Sequence, residues 1–181
     1  MIRSVAVVGV GSMGEAVARR IQAAGFGLCV CDVNEAVLAR FERSGASVAR
    51  RAADCAAADL VIVLVATPEQ VRSVLVGEHG LRAGLVAGAR APIVVVMSTV
   101  PREVVLELHA VLAGAVAGFI DAPISGGLIK AESGTLSVLA GGSAADLSVE
   151  QSAAGMRATL AALPATTSAL YLNYDGKTIG W

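Results

Sequence analysis

Three glycines constrain this chain more than any other feature. Gly9, Gly11 and Gly14 stand in GxGxxG spacing within VAVVGVGSMG, between an apolar run and a segment of helix formers. A strand that turns sharply into a helix needs this arrangement. Gly9 reaches backbone angles that a side chain forbids, Gly11 leaves the main chain open to close approach, and Gly14 lets the helix lie near the strand. A helix opening near Ser12 aims its free N–H groups and the positive end of its dipole at the space over the turn, so a pyrophosphate is held there without a dedicated basic residue. Val10, Ser12 and Met13 complete that turn. A second strand over residues 27–31 then ends in Asp32, about 20 residues past the glycines, as a dinucleotide site requires. A carboxylate at this point accepts hydrogen bonds from both hydroxyls of an adenosine ribose and repels a 2′-phosphate, so NAD is expected in preference to NADP. The competing reading makes Asp32 the start of a turn before the helix that follows Asn34.

Short β-branched runs alternate with longer helical patterns along the chain, which is the signature of βαβ units and a parallel sheet. Strands are expected over residues 4–8, 27–31, 60–65, 93–97, 118–120 and 136–140, with 170–173 a further candidate. The run LVIVLVA is apolar at every position, as a strand covered on both faces must be. The clearest helices are expected over 35–43, 69–75, 102–112 and 144–163, the first capped by Asn34 and the third opening after Pro101. The predicted class is α/β, a Rossmann-type doubly wound and mostly parallel sheet, with residues 1–181 forming one domain.

Composition removes several function classes. A net charge of −1 gives no basic face, and 3% aromatic residues leave little to stack bases on, so nucleic acid is not an expected partner. The three cysteines are expected to be small buried hydrophobes in a reducing compartment, with Cys29 and Cys31 on opposite sides of the sheet. Arg3, the apolar run to Val10 and the AVA at 16–18 resemble a signal peptide, but a secretory segment has no need of three glycines in register, and Glu15 interrupts it. Arg90, Pro92 and Glu107 break the richest apolar regions, so no membrane span is expected and the location is read as cytoplasmic.

The stretch DAPISGGLIKAESGTLSVLAGG, residues 121–142, resembles the substrate-binding signature of the β-hydroxyacid dehydrogenase family, which includes 3-hydroxyisobutyrate, tartronate semialdehyde and L-threonate dehydrogenases. MSTV at 97–100 and GEHGL at 77–81 resemble further family motifs, and with the glycine turn the resemblance extends over nearly all of residues 2–142. A serine hydroxyl followed by two side-chain-free amides at the carboxyl end of a strand suits a carboxylate. The resemblance implies that Ser125, Gly126 and Gly127 hold the substrate of a small 3-hydroxy acid dehydrogenase, and that Thr99 meets the nicotinamide end of the cofactor. It implies that a loop at Val65, Ala66 and Thr67 passes under the cofactor ribose, although this chain reads Val-Ala-Thr-Pro where the family has Leu-Pro and a small polar residue.

The family continues into a helical domain that carries a catalytic lysine with an asparagine four residues later and forms homo-oligomers. That lysine is expected beyond Trp181, so no catalytic residue is assigned here. Of the two lysines present, Lys130 is read as a solvated helix residue and Lys177 as noncatalytic, because Trp181 stands where the asparagine belongs. His79 and His109 have no nearby carboxylate expected to orient them, Ser98 has no adjacent base, and no cluster has metal-ligand spacing. The expected function is the cofactor domain of an NAD-dependent 3-hydroxy acid oxidoreductase, catalytically incomplete within these residues. The alternative is a noncatalytic NAD-binding sensor or a module that supports a partner chain.

Overall fold

The computed structural model describes residues 2–142. Six parallel strands run in the order β3-β2-β1-β4-β5-β6: β1 Ser4–Val8, β2 Gly27–Cys31, β3 Ser47–Ala49, β4 Leu60–Val63, β5 Ile93–Val96 and β6 Gly118–Asp121. Their apolar runs form strands because both faces are covered. Leu60, Val61, Ile62 and Val63 are all 0% exposed, and full burial of each such side chain is worth about 1.5–3 kcal/mol.

Alternate strand residues feed two cores. Val5, Val7 and Ile62 pack with α1 (Ser12–Ala23) and α2 (Glu35–Arg43) on one face. Ala6, Val8 and Val61 pack with α3 (Pro68–Val76) and, beyond the short α4 (Leu81–Gly84), with α5 (Arg102–Leu112) on the other. The chain leaves β1 outward through β2 and β3, then returns to pair β4 with the opposite edge of β1. This reversal opens a crevice at the carboxyl ends of β1 and β4, where open α/β sheets bind ligands.

The cap expected at Asn34 is made, and Thr67 supplies another that was not predicted. Asn34 Oδ1 accepts from the Ala36 amide at 3.1 Å, and the Thr67 hydroxyl accepts from the Gln70 amide while Pro68 takes the first helical position. Helix α3 therefore begins one residue before the predicted start.

Three expectations need correction, and one strand went unpredicted. The run over 60–65 pairs in the sheet only as far as Val63, and Leu64 makes one last bond, N–H to the Val8 carbonyl at 2.9 Å, before the chain departs. The three-residue β3 was not predicted. The expected strand over 136–140 is two separate pairings. Ser137–Val138 (β8) runs antiparallel to Ile124–Ser125 (β7), and Gly141–Gly142 (β9) runs antiparallel to β6. The alternation that suggested one strand is real, since Leu136, Val138 and Ala140 are buried and the residues between them exposed. The partner changes midway. Lastly, Cys29 and Cys31 lie two apart on β2 and so share a face, packing on the same side of the sheet as Cys55. The predicted helix at 144–163 and strand at 170–173 lie outside the described residues. Among the described residues, no helix is long and apolar enough to cross a membrane.

Candidate functional site

The turn from β1 into α1 forms the floor of the crevice, and its three glycines answer three different constraints. Gly9 has φ +92°, and a Cβ there would collide with the Leu64 carbonyl oxygen and with Val65 Cγ1. A Cβ on Gly14 would collide with the Gly9 carbonyl, so helix and turn touch backbone to backbone. A Cβ on Gly11 would meet no atom within 4 Å. Gly11 is thus spared a side chain for the sake of open space, not for its own packing. Helix α1 starts with Gly11 as its N-cap and no side chain bonded to its first amides, which leaves N–H groups and dipole for an anion. Glu15 in that first turn does not oppose one: Arg19 and Arg40 each reach its carboxylate at 2.7 Å, and the Arg19 hydrogen bond leads in holding it below the usual carboxylate range.

Asp32 closes the far side. Its Oδ2 accepts from the Val10 amide at 2.6 Å and its Oδ1 from the Asn34 amide at 2.9 Å. The carboxylate is pinned between the glycine turn and the loop before α2, while each oxygen keeps a further lone pair. Val10 itself contributes only this amide, since its side chain is buried in the core. A single cavity of about 740 Å³ joins the two ends, bordered by Gly9, Gly11, Ser12, Met13, Gly14 and Asp32 together with Val65 and Ala66.

The wall opposite is held by Ser98. Among the described residues it is the polar side chain buried in the core. Its hydroxyl accepts from the Val65 amide at 2.9 Å and donates to the Val65 carbonyl at 2.8 Å. The hydroxyl thus does for Val65 what a neighbouring strand would do, after β4 has ended. Sequence reasoning weighed Ser98 only as a nucleophile and missed this role. Thr67 and Thr99 are not among the residues bordering the cavity: the first spends its hydroxyl on the α3 cap, and the second is exposed just past β5.

Ser125, Gly126 and Gly127 are exposed, outside the cavity border, at the start of α6 (Gly127–Ser133). Gly126 has φ +133° and Gly127 φ +70°, a pair of left-handed angles that explains why two glycines stand together. Helix α6 packs on α1 and is tied to it by Arg20 Nη1 donating to the Glu132 carbonyl at 3.1 Å. One helix therefore carries the uncapped amides at its start and braces the Ser125 segment along its side. Nearby, burial pushes the Asp121 carboxyl at the end of β6 up to about 6.

Other candidates are dispersed. Lys130 is exposed on α6, with its aliphatic carbons against Gly126. His109 packs edge-on against Phe119, ring centres 5.8 Å apart. His79 borders the cavity, and its backbone carbonyl accepts from the Ala53 amide at 3.0 Å. Lys177 lies outside the described residues. Sequence reasoning also missed Arg50 and Arg51, which border the cavity together with Asp32 and the 96% exposed Val33. They follow β3, and the signal that could have found them was topological, since a doubly wound sheet of this order needs a third strand after α2.

Comparison with known proteins agrees with this geometry. The model of the NAD binding domain of 6-phosphogluconate dehydrogenase matches residues 4–160. L-threonate dehydrogenase of Cupriavidus necator is 35% identical over 148 residues, 80% of this chain and 48% of that protein. NAD-dependent L-serine dehydrogenase of Pseudomonas aeruginosa is 31% identical over 79% of this chain and 47% of its own length. Among solved structures, 3-hydroxyisobutyrate dehydrogenase from Salmonella typhimurium superposes with a TM-score of 0.78 at 30% identity, over 93% of this chain and 56% of that one. The chain spans about half the length of the curated relatives it matches.

Proposed function

The chain belongs to the family that shares the NAD-binding domain of 6-phosphogluconate dehydrogenase, and we propose that it serves as the cofactor half of an NAD-dependent dehydrogenase of small 3-hydroxy acids. One observation carries this reading. The uncapped start of α1 and the pinned Asp32 carboxylate border one cavity, which pairs an anion-receiving helix start with a ribose-binding carboxylate as a dinucleotide site does.

The residues divide the work by chemistry. The amides of Gly11, Ser12 and Met13 receive the pyrophosphate, with Gly9 and Gly14 shaping the turn beneath. Asp32 takes the ribose hydroxyls with its remaining lone pairs and sets the preference for NAD over NADP. Val65 and Ala66 underlie the second ribose, with Thr67 fixing the end of that loop through the α3 cap, and Thr99 is assigned the nicotinamide end on the family resemblance. Ser125, Gly126 and Gly127 receive the carboxylate of the hydroxy acid. When bound, NAD supplies the site that accepts or returns a hydride. Proton transfer to the substrate oxygen belongs, on the family resemblance, to a lysine outside these 181 residues. The names of the relatives, which include dehydrogenases of L-threonate, L-serine and 3-hydroxyisobutyrate, support a small hydroxy acid as substrate class.

The test is NADH formation at 340 nm with L-threonate, L-serine, D-glycerate and both enantiomers of 3-hydroxyisobutyrate. General acid–base catalysis is worth about 10² to 10⁴ in rate, and lost substrate positioning deepens the deficit. A polypeptide of residues 1–181 is expected to turn over far below about 1 s⁻¹, and a version extended into a helical domain to restore the rate. Turnover near 1 s⁻¹ by residues 1–181 alone would overturn this division of labour.

A further inference from the structure

Two arginines border the adenosine end of the crevice, next to Asp32 and Val33, and both are already engaged. Arg50 donates from Nε and Nη2 to the two oxygens of Glu35 at 2.7 and 2.8 Å. Arg51 donates from the same two nitrogens to the two oxygens of Asp54 at 3.1 and 2.7 Å. Neither carboxylate borders the cavity. Glu35 opens α2 three residues after Asp32, and Asp54 sits in the single turn of 3-10 helix, Ala52–Cys55, that follows Arg51. Each side of each pair responds to the other: the guanidinium hydrogen bond leads in lowering Glu35 and Asp54, and the carboxylate hydrogen bond leads in raising Arg50 and Arg51.

A guanidinium fork receives a carboxylate and a phosphate in the same planar, two-bond geometry. Two forks beside an adenosine ribose would ordinarily form a receptor for a 2′-phosphate, which carries close to two negative charges at neutral pH. Here both forks are filled by carboxylates of the chain itself. At this end of the crevice Asp32, Glu35 and Asp54 outnumber Arg50 and Arg51, so an incoming phosphate meets net negative charge and must also displace a carboxylate to be bound.

Resting on the reading of the crevice as an NAD site, we infer that Glu35 and Asp54 are specificity-determining residues for the cofactor: they hold Arg50 and Arg51 as filled forks and so deny NADP the cations that would receive its 2′-phosphate. Asp32 discriminates by direct contact with the ribose, whereas Glu35 and Asp54 discriminate through the arginines. Because the pairs lie at the surface, each release is worth a few-fold and no more. The gain should also shrink as salt screens the freed charges.

The experiment is calorimetric titration of the 181-residue chain with NAD, NADP, ADP and adenosine 2′,5′-bisphosphate. Glu35→Gln and Asp54→Asn should each tighten NADP and the bisphosphate about threefold, and together about tenfold, with NAD and ADP within twofold of wild type. Adding Arg50→Gln and Arg51→Gln to the double variant should erase the gain. Glu107→Gln, which removes the same charge from the remote Arg72 pair between α3 and α5, should leave both dinucleotides unchanged. NADP affinity unmoved in the double variant while NAD still binds would overturn the inference alone. So would an equal gain in Glu107→Gln or in the variant without the arginines, since net charge and not the forks would then be responsible. A wild-type chain that binds neither dinucleotide would overturn the reading of the crevice and this inference with it.

Discussion

The crevice and the 121–142 segment are made from different materials. Around the crevice, five-residue strands are sealed into two cores, and the turn between them is so close that a single Cβ on Gly9 or Gly14 meets backbone. The 121–142 segment has strands of two residues, a seven-residue helix, and leaves Leu128, Ile129 and Leu139 exposed. Gly126 and Gly127 turn against a flexible lysine and in open space respectively. One region is shaped by what the fold forbids and the other by what the fold leaves free. The crevice is assembled wholly within one sheet and closes as a cavity, whereas the 121–142 segment is a short ribbon braced on α1 by α6.

The sharpest way to break that comparison is to add one methyl group to each region. Gly9→Ala combines a left-handed backbone angle with a clash against the Leu64 carbonyl and Val65. It should cost about 3 kcal/mol of stability and weaken NAD binding at least about 100-fold, since the turn must move to relieve it. Gly126→Ala carries a similar angular strain, but its new Cβ meets Lys130 carbons, which can swing away. It should cost about 1–2 kcal/mol and leave NAD affinity within twofold. Urea unfolding with calorimetric titration reads both quantities, and equal effects from the two substitutions would erase the distinction.

A smaller effect separates two carboxylates at opposite ends of the sheet. Burial opposes the charged form of Asp59, but the amides of Arg3 and Ser4 and the Arg90 guanidinium more than offset it and hold Asp59 below its usual range. Asp121 has burial acting on it and is raised to about 6. Between its ordinary value and about pH 6 the folded chain keeps the Asp121 proton that the unfolded chain has released, so this group makes stability fall as pH rises through that window. Asp59 acts in the opposite sense, contributing stability above its ordinary value that is lost as pH falls. Asp121→Asn should therefore raise the melting temperature above pH 6 by a few degrees and remove the fall between about pH 4 and 6. Asp59→Asn should lower the melting temperature at neutral pH. Thermal unfolding across pH 4–8 checks both signs.

These regions also differ in how legibly the sequence encoded them. The β1–α1–β2 unit could be read to the residue, because a parallel strand buried on both faces appears as an unbroken apolar run, and the Gly9 and Gly14 contacts admit no substitute. The 121–142 segment could be recognised by its motif but not traced. Its alternation of buried and exposed residues is that of one strand, and nothing local to the chain records that the pairing passes from β7 to β6. Strand β3 escaped notice because three residues carry too short a pattern, and with it went Arg50 and Arg51. Ser98 was invisible for a different reason. A hydroxyl that replaces a missing strand neighbour is recognisable only once Val65 is known to lie beside it. The shared face of Cys29 and Cys31, by contrast, was available from strand periodicity alone.

On the function proposed above, the crevice holds NAD as these residues build it, and Asp32 sets the preference for NAD. Titration calorimetry of the wild-type chain and Asp32→Ala with NAD and NADP, without any hydroxy acid, tests it most directly. One NAD should bind per chain, with NADP bound at least about tenfold more weakly and the gap narrowed in Asp32→Ala. Absence of NAD binding, or NADP bound as tightly as NAD by the wild type, would contradict it.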